Sequence, residues 1–442
     1  MKTIRVDKLS FNTLQKKWGI NIEDNTNGKS TLDIDFNALL PFANVVSKDI
    51  LDFFTLSAAV YGIDRFVERK TNSVDGWSRE LKVNFPVHNP SMWNACKGDL
   101  NKLLSFLTGD YWNVEFRKDA FDLPKATLDI EYSGSFAQVN LLSGGLDSLI
   151  GGLDFLKSHP KEKVLFVSHY DPQMKGVLKD QKHLIPELEK LYPKKFAYLS
   201  SLRVFLKTTN VNRETTFRSR SLLFIGIALI LAESTKTKKI IVPENGTVSL
   251  NFPLSSSRRS SCSTRTTHPL VLESVISIWR ALSISTEIQN PYEFQTKGEM
   301  VNACKDQINL SKLVVLSNSC GKRGHRAHWE PGKKSATHCG VCMPCVYRQA
   351  SLIKIVDNTS YGNTINSLIP FLSKKSQDMS ACLYFLNNPI SKEEIKLELI
   401  VNGVKNISKL NQYVELICRT RDELKNWVAK VGNSTIKTKA GI

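Results

Sequence analysis

What this chain lacks narrows it first. No apolar run is long enough to cross a bilayer. The longest, Leu222 to Ala232, has about eleven residues against the roughly 20 that a span needs, and reads as a buried helix. The opening MKTIRVDKLSF carries no apolar core of a secretory signal. A cytoplasmic protein that does not enter a membrane is the expectation. Acidic residues are in deficit: 42 Asp and Glu face 60 Lys and Arg, for a formal net charge of +18. That balance permits nucleic-acid binding without requiring it. The basic residues are spread along the chain, with concentrations at 258–265 and 322–334. A spread excess suits a solvated surface or a pocket for an anion, so nucleic acid is a possible partner but not the favoured one. No internal repeat is present. The pattern G-x-x-x-x-G-K-[ST] is missing, so no lysine follows a glycine loop to reach a terminal phosphate. Of the nine cysteines, Cys96, Cys262, Cys304, Cys382 and Cys418 stand alone and read as reduced thiols.

What is present divides the 442 residues into three regions. Residues 1–132 mix strands and helices as an α+β domain. Ile50–Val67 reads as an amphipathic helix, Arg79–Val87 alternates like a strand, and His88–Trp93 marks a turn into another helix. No catalytic constellation stands out here. Asp64, Arg65, Trp77 and Arg79 form either a polar cluster or ordinary packing. Residues 133–318 alternate strand-like runs (Val139–Leu142, Val164–His169, Phe196–Leu199, Ile240–Val242, Leu313–Leu316) with helix-like ones (Leu149–Lys157, Asp180–Leu191, Ser219–Glu233, Val271–Leu282). Such alternation predicts an α/β fold, a doubly wound parallel sheet that binds ligands at the carboxyl ends of its strands. Residues 319–442 carry a cysteine cluster, then Lys-rich helical sequence, and Asn433–Ile442 reads as a loose tail.

The stretch VNLLSGGLDSLIGGLDFL, Val139 to Leu156, ends a strand and starts a helix. Between them lie Ser143, Gly144, Gly145, Leu146, Asp147 and Ser148. Paired glycines allow a tight turn and close approach of a ligand. The free N–H groups and dipole of a helix start suit a phosphate. Asp147 or Ser148 can equally serve as a helix cap. The hexad resembles the pyrophosphate loop (PP-loop) of the N-type ATP pyrophosphatases. The resemblance implies that Ser143–Ser148 grip the outer phosphates of ATP while chemistry occurs at the α phosphorus. Asp147 would help hold Mg²⁺. Downstream, Arg218-Ser219-Arg220-Ser221 opens the apolar helix, and Arg220 is the candidate to reach the phosphates.

Cys339, Cys342 and Cys345 follow C-x-x-C-x-x-C, with Cys320 upstream. Four thiolates satisfy tetrahedral Zn²⁺ and leave no open position, which predicts a structural metal. His325, His328 and His338 are possible substitute ligands, and an iron–sulfur cluster or redox dithiol is the competing reading.

The loop and the cysteines together, over roughly residues 135–355, resemble the 7-cyano-7-deazaguanine synthases (QueC-like enzymes). Those enzymes spend ATP to adenylate a 7-carboxy-7-deazaguanine carboxylate and then aminate it. Arg220-Ser221 stands at the family's Arg-Asn helix start, and Pro243-Glu244-Asn245-Gly246 at its substrate-side loop. Departures are clear. A Tyr-Pro-Asp-Cys stretch is replaced by residues 244–269, the spacer from Cys320 to Cys339 is longer, and both ends are extended. Enlarged relatives of this kind occur in bacterial anti-phage operons. The resemblance implies an adenylate-forming amide ligase using ATP, Mg²⁺ and Zn²⁺, with Asp147, Ser148 and Arg220 in the chemistry. Its acid would be a 7-carboxy-7-deazaguanine-like small molecule, and its acceptor a protein encoded nearby. Glu244 and Asn245 would read the base edge. Arg265 or His268 would meet the substrate carboxylate or the charge developing at phosphorus. Two other readings stay open: a tRNA-thiolating PP-loop enzyme, and a nucleotide-binding scaffold without catalysis.

Overall fold

In the computed structural model, ten strands form one sheet among the described residues. Those residues are 1–8, 17–26, 28–119, 123, 126, 135–174, 176–207, 212–259, 265–324, 326–367 and 377–442. The strands are β1 (Lys2–Lys8), β2 (Lys17–Asp24), β3 (Gly28–Asp35), β4 (Glu80–Val87), β5 (Tyr111–Lys118), β6 (Gln138–Leu141), β7 (Val164–Tyr170), β8 (Phe196–Leu206), β9 (Lys239–Ile241) and β10 (Glu287–Gln289). Their spatial order is β10-β9-β6-β7-β8-β3-β2-β1-β4-β5. β10 through β8 are parallel, and so are β1, β4 and β5. Between these blocks β8, β3, β2 and β1 run antiparallel, with Gly28 at φ +79° closing the β2–β3 hairpin. The fold is therefore mixed α/β with a large, mostly parallel sheet.

β7 shows why the central block forms. Val164, Leu165, Phe166 and Val167 are all fully buried, as a strand covered on both faces must be. Leu165 and Val167 pack with the helix Arg220–Ser234. Val164 and Phe166 pack with the helices Leu146–Ser158 and Val177–Leu191 on the other face.

The regions 1–132 and 133–318 share this sheet and one core. Leu32, Asp33 and Ile34 of β3 pair with Leu206, Phe205 and Val204 of β8. The helix Lys48–Phe66 packs along the helix Arg220–Ser234, and Gly226 makes the approach possible. A Cβ there would lie 3.1 Å from the Ser57 hydroxyl and 3.3 Å from Phe54 Cα. The Lys48–Phe66 helix was expected to be amphipathic. It is instead buried along nearly its whole length, because sheet and helix enclose it. Its Thr55 and Ser57 hydroxyls satisfy themselves on the Leu51 and Phe53 carbonyls at 2.7 Å.

Two other expectations are corrected. Leu313–Leu316 is not a strand. A helix, Gln307–Leu313, capped by Asp306, runs into a 3-10 turn at Val314–Leu316; Leu313 and Val314 are buried against neighbouring helices, and Val315 and Leu316 are half-buried. Four apolar residues cannot distinguish the two by pattern. The tail is also ordered: Asn433 caps the helix Ser434–Lys439, and Ile436 and Ala440 enter a second core built from the C-terminal helices and the cysteine segment.

Of the first region's polar residues Asp64, Arg65, Trp77 and Arg79, Asp64 and Arg79 belong to a closed ion network, while Arg65 bonds Gln173 and the Glu214 carbonyl. Arg79 and Arg69 bind both Asp64 and Asp110. Asp64 also accepts from the backbone N–H and hydroxyl of Ser219, at the start of the Arg220–Ser234 helix, at 3.2 and 3.0 Å. Removing one member leaves a buried charge unpaired. Asp110→Ala should therefore destabilise the protein by about 3–5 kcal/mol in chemical denaturation. A loss under about 1 kcal/mol would show that the network is not structural.

Candidate functional site

β6 hands over to the helix Leu146–Ser158 through Leu142–Gly145 alone. Gly144 sits at φ +86°, a conformation that favours glycine. Neither Asp147 nor Ser148 caps the helix. Gly145 holds that position and supplies no side chain. The Ser143 and Ser148 hydroxyls lie 3.1 Å apart, and Ser148 donates to the Gly145 carbonyl at 3.0 Å. The Leu146 N–H donates to Ser319 Oγ at 3.4 Å, and the Asn318 N–H to the Gly144 carbonyl at 2.8 Å. The loop is thus bonded to the residues that lead into Cys320.

Asp147 is buried, and both its oxygens are engaged. Oδ1 pairs with the ammonium of Lys297, itself only 4% exposed. Oδ2 accepts from the Asn245 backbone and amide at 3.2 and 2.6 Å. Burial works to raise the Asp147 carboxyl. The Lys297 charge and hydrogen bonds from Glu244, Lys297 and Asn245 outweigh it and hold the group below the usual carboxylate range. Glu244 shifts the other way: burial and the Asp147 charge push it well above its ordinary value. The two shifts run opposite ways because one buried negative charge disfavours a second beside it. A Mg²⁺ ion at Asp147 would have to compete with Lys297. Asn245 has a second duty, capping the helix Gly246–Leu250 through Val248 N–H at 3.0 Å.

Lys297 was missed in the sequence. Thr296-Lys297-Gly298-Glu299 reads as a capping box that marks a helix start, but nothing in it names the lysine's partner.

Arg220 begins its helix and donates from Nε to His169 Nε2 at 3.3 Å. The His169 proton must then sit on Nδ1, which is buried with no acceptor among the described residues. Burial, with the Arg220 charge, pushes His169 well below its usual range, so the ring is neutral. The first region reaches this strand end too, since Tyr61 donates to Asp171 at 2.7 Å. Ser143–Ser148, His169 and Glu244–Asn245 thus stand just past or at the carboxyl ends of β6, β7 and β9, where ligands of parallel sheets bind.

Arg265 and His268 both meet Phe106. Among the described residues, Arg265 stacks on Phe106 at 4.2 Å and donates to its carbonyl at 3.1 Å. His268 meets the same ring edge-on at 4.9 Å and caps the helix Pro269–Ala281. Neither has a hydrogen bond to the Ser143–Ser148 loop.

The four cysteines converge. Their sulfurs lie within 4.8 Å of one another, and Cys339 and Cys345 are 3.9 Å apart. Tetrahedral thiolates at about 2.3 Å from a metal sit roughly 3.8 Å apart, so the set can hold an ion such as zinc. Backbone N–H groups of Val341 and Cys342 point at Cys339 Sγ at 3.4 and 3.2 Å. His338 is no ligand: its Nε2 accepts from Ser319 N–H at 3.4 Å and its Nδ1 pairs with Thr337 at 2.9 Å. His325 and Cys262 lie outside the described residues, as does the His328 side chain. Fully buried Arg348 anchors the cysteine helix Met343–Ser351 to the preceding chain through Ser317 and Val314 and to the following chain through Thr359.

Purified protein should carry one zinc ion per chain by elemental analysis, and Cys342→Ser should lose the metal and destabilise the C-terminal core. Stoichiometric iron with a visible absorption band would contradict the zinc assignment.

Comparison of the chain with models of protein families, with characterised proteins and with solved structures returned no match, so the reading of this site rests on its own residues and geometry.

Proposed function

We propose that the protein is a PP-loop ATP pyrophosphatase of QueC-like type: an adenylate-forming amide ligase acting on a 7-deazaguanine carboxylate. One observation carries the reading. A Ser-Gly-Gly-Leu-Asp-Ser turn with left-handed Gly144 stands at the carboxyl end of a central parallel strand and is bonded to Asn318 and Ser319, the residues that lead into a Cys₄ cluster. Bound ATP would supply a phosphoanhydride whose α phosphorus takes the carboxylate and releases pyrophosphate. The chain's task is to position and neutralise. Ser143 and Ser148 offer hydroxyls and the helix start offers N–H groups to phosphate oxygens. Arg220, bonded to His169, and Lys297, paired with Asp147, are cations at that edge, and His169 offers a neutral N–H donor. Glu244 lies beside Asp147, whose charge, with burial, pushes the Glu244 carboxyl up. The acceptor in this reading is an amine of a partner protein, held beside the adenylate by the regions flanking the loop. The zinc is structural, fixing Asn318–Cys320 and through them the loop.

A second reading is favoured by the engagement of both Asp147 oxygens: a nucleotide-binding scaffold in which Asp147 serves architecture. Chromatography of nucleotide products separates the two. With Mg²⁺, ATP, 7-carboxy-7-deazaguanine and an amine, the wild type should yield AMP and pyrophosphate. Ser148→Ala should lower the rate about 10²-fold or more. Asp147→Asn is preferable to alanine, which would strand the Lys297 charge. ADP and phosphate as products would overturn the ligase, and ATP binding without turnover would select the scaffold.

A further inference from the structure

We propose that the groove between the helices Val177–Leu191 and Gln307–Leu313 is a docking site for an acidic amphipathic segment of a partner protein, which lays aliphatic side chains on the groove floor and carboxylates against its lysine rim.

The groove encloses about 650 Å³. Pro186 and Leu191 from the first helix, with Leu313 and Leu316 from the second and its 3-10 end, make an apolar floor. Leu313 is buried, Leu191 and Leu316 are half-buried and Pro186 is exposed, so the apolar surface runs from the core out to solvent. Lys182 and Lys190 border it on one side and Lys312 on the other, all three exposed. Lys182, Pro186 and Lys190 recur every four residues, as do Lys312 and Leu316, so each helix gives the groove one face. Pro186 adds a backbone acceptor. It stands inside its helix and lacks the N–H that would bond the Lys182 carbonyl, which is left without its helical donor.

The charge of the rim names the occupant. Lys190 pairs with Glu187 at 2.6 Å, but Lys182 and Lys312 make no ion pair or hydrogen bond among the described residues. Two unanswered positive charges beside an aliphatic floor fit a helix that carries carboxylates next to an apolar stripe. A second copy of the chain fits poorly, because each copy has a net charge of +18. A nucleic acid also fits poorly, since no Phe, Tyr or Trp is among the described residues that line the groove, and a base has nothing to stack on. The groove leads to the Ser143–Ser148 loop. A Cβ built on Gly144 would lie 3.9 Å from Asp180 Cβ and 3.6 Å from Gln181 Cγ, and Gln181 adjoins Lys182. On the other wall Leu316 is followed by Ser317 and then Asn318, whose N–H bonds the Gly144 carbonyl. The inference rests on the groove and stands apart from the adenylation reading. If both hold, docking here anchors the amine-bearing partner beside the loop.

The test is fluorescence anisotropy of labelled peptides titrated with the full chain. A short helical peptide of glutamate and leucine, with leucines spaced i, i+3, i+4 and i+7, should bind saturably, and added salt should weaken it. Replacing its leucines by glutamine, or its glutamates by lysine, should abolish binding. Lys182→Glu combined with Lys312→Glu should weaken binding about tenfold or more. Lys396→Glu combined with Lys425→Glu, the same charge change at exposed positions outside the groove, should leave it within about twofold. No saturable binding of the glutamate–leucine peptide, or an equal loss in the two variant pairs, would overturn the proposal. So would a single-stranded oligonucleotide that binds more tightly than the peptide and is lost in Lys182→Glu/Lys312→Glu, or a dimer in sedimentation that this pair abolishes.

Discussion

A carboxylate cut off from water must be neutralised, and Asp147 is such a carboxylate. Its neutralisation organises the centre of the molecule. Lys297 comes from a helix start 150 residues further along the chain, and Asn245 and Glu244 from the turn after β9. Two distant segments are therefore fixed against the first turn of the Leu146–Ser158 helix. The preceding loop, Ser143–Gly145, inherits that fixed position. On its other side the Asn318 N–H and Ser319 hydroxyl hold the Gly144 carbonyl and the Leu146 N–H. A helix start held from both sides keeps its donors in place before any ligand arrives, which is what electrostatic preorganisation requires.

The cysteine cluster belongs to this arrangement rather than to a separate module. Cys320 follows Asn318 and Ser319 directly, and Asn318 accepts from the Cys320 N–H at 2.9 Å while donating to the Thr337 carbonyl at 3.3 Å. A metal clasping Cys320 to Cys339, Cys342 and Cys345 would stiffen Asn318 and Ser319, which touch the loop. The first region is equally entangled. Its long helix seals the Arg220–Ser234 helix, its Tyr61 reaches the end of β7, and its Asp64 holds Ser219 beside Arg220.

Much of this was legible before any coordinates. The alternation after residue 133 placed β6, β7, β8 and β9, and the glycine pair placed the strand-to-helix turn. Spacing alone gathered Cys339, Cys342 and Cys345. What was not legible depended on enclosure. The Lys48–Phe66 helix has no polar stripe to spare because two neighbours cover it, a fact of packing and not of local pattern. Leu313–Leu316 is apolar for burial that either a strand or a helix end can supply. Lys297 lies about 150 residues from its partner, and no local pattern links a lysine to a distant aspartate. Arg265 and His268 are near Glu244–Asn245 in sequence, yet the chain carries them to Phe106.

The central claim is that one ligand-binding edge runs across the carboxyl ends of β6, β7 and β9. Hydrogen–deuterium exchange of the full chain with and without Mg²⁺ and ATP tests it most directly. The account predicts slowed exchange at Leu142–Ser148, His169–Asp171, Glu244–Gly246 and Asn318–Cys320, with β1, β4 and β5 unchanged. Protection confined to other segments, or none at saturating nucleotide, would contradict it.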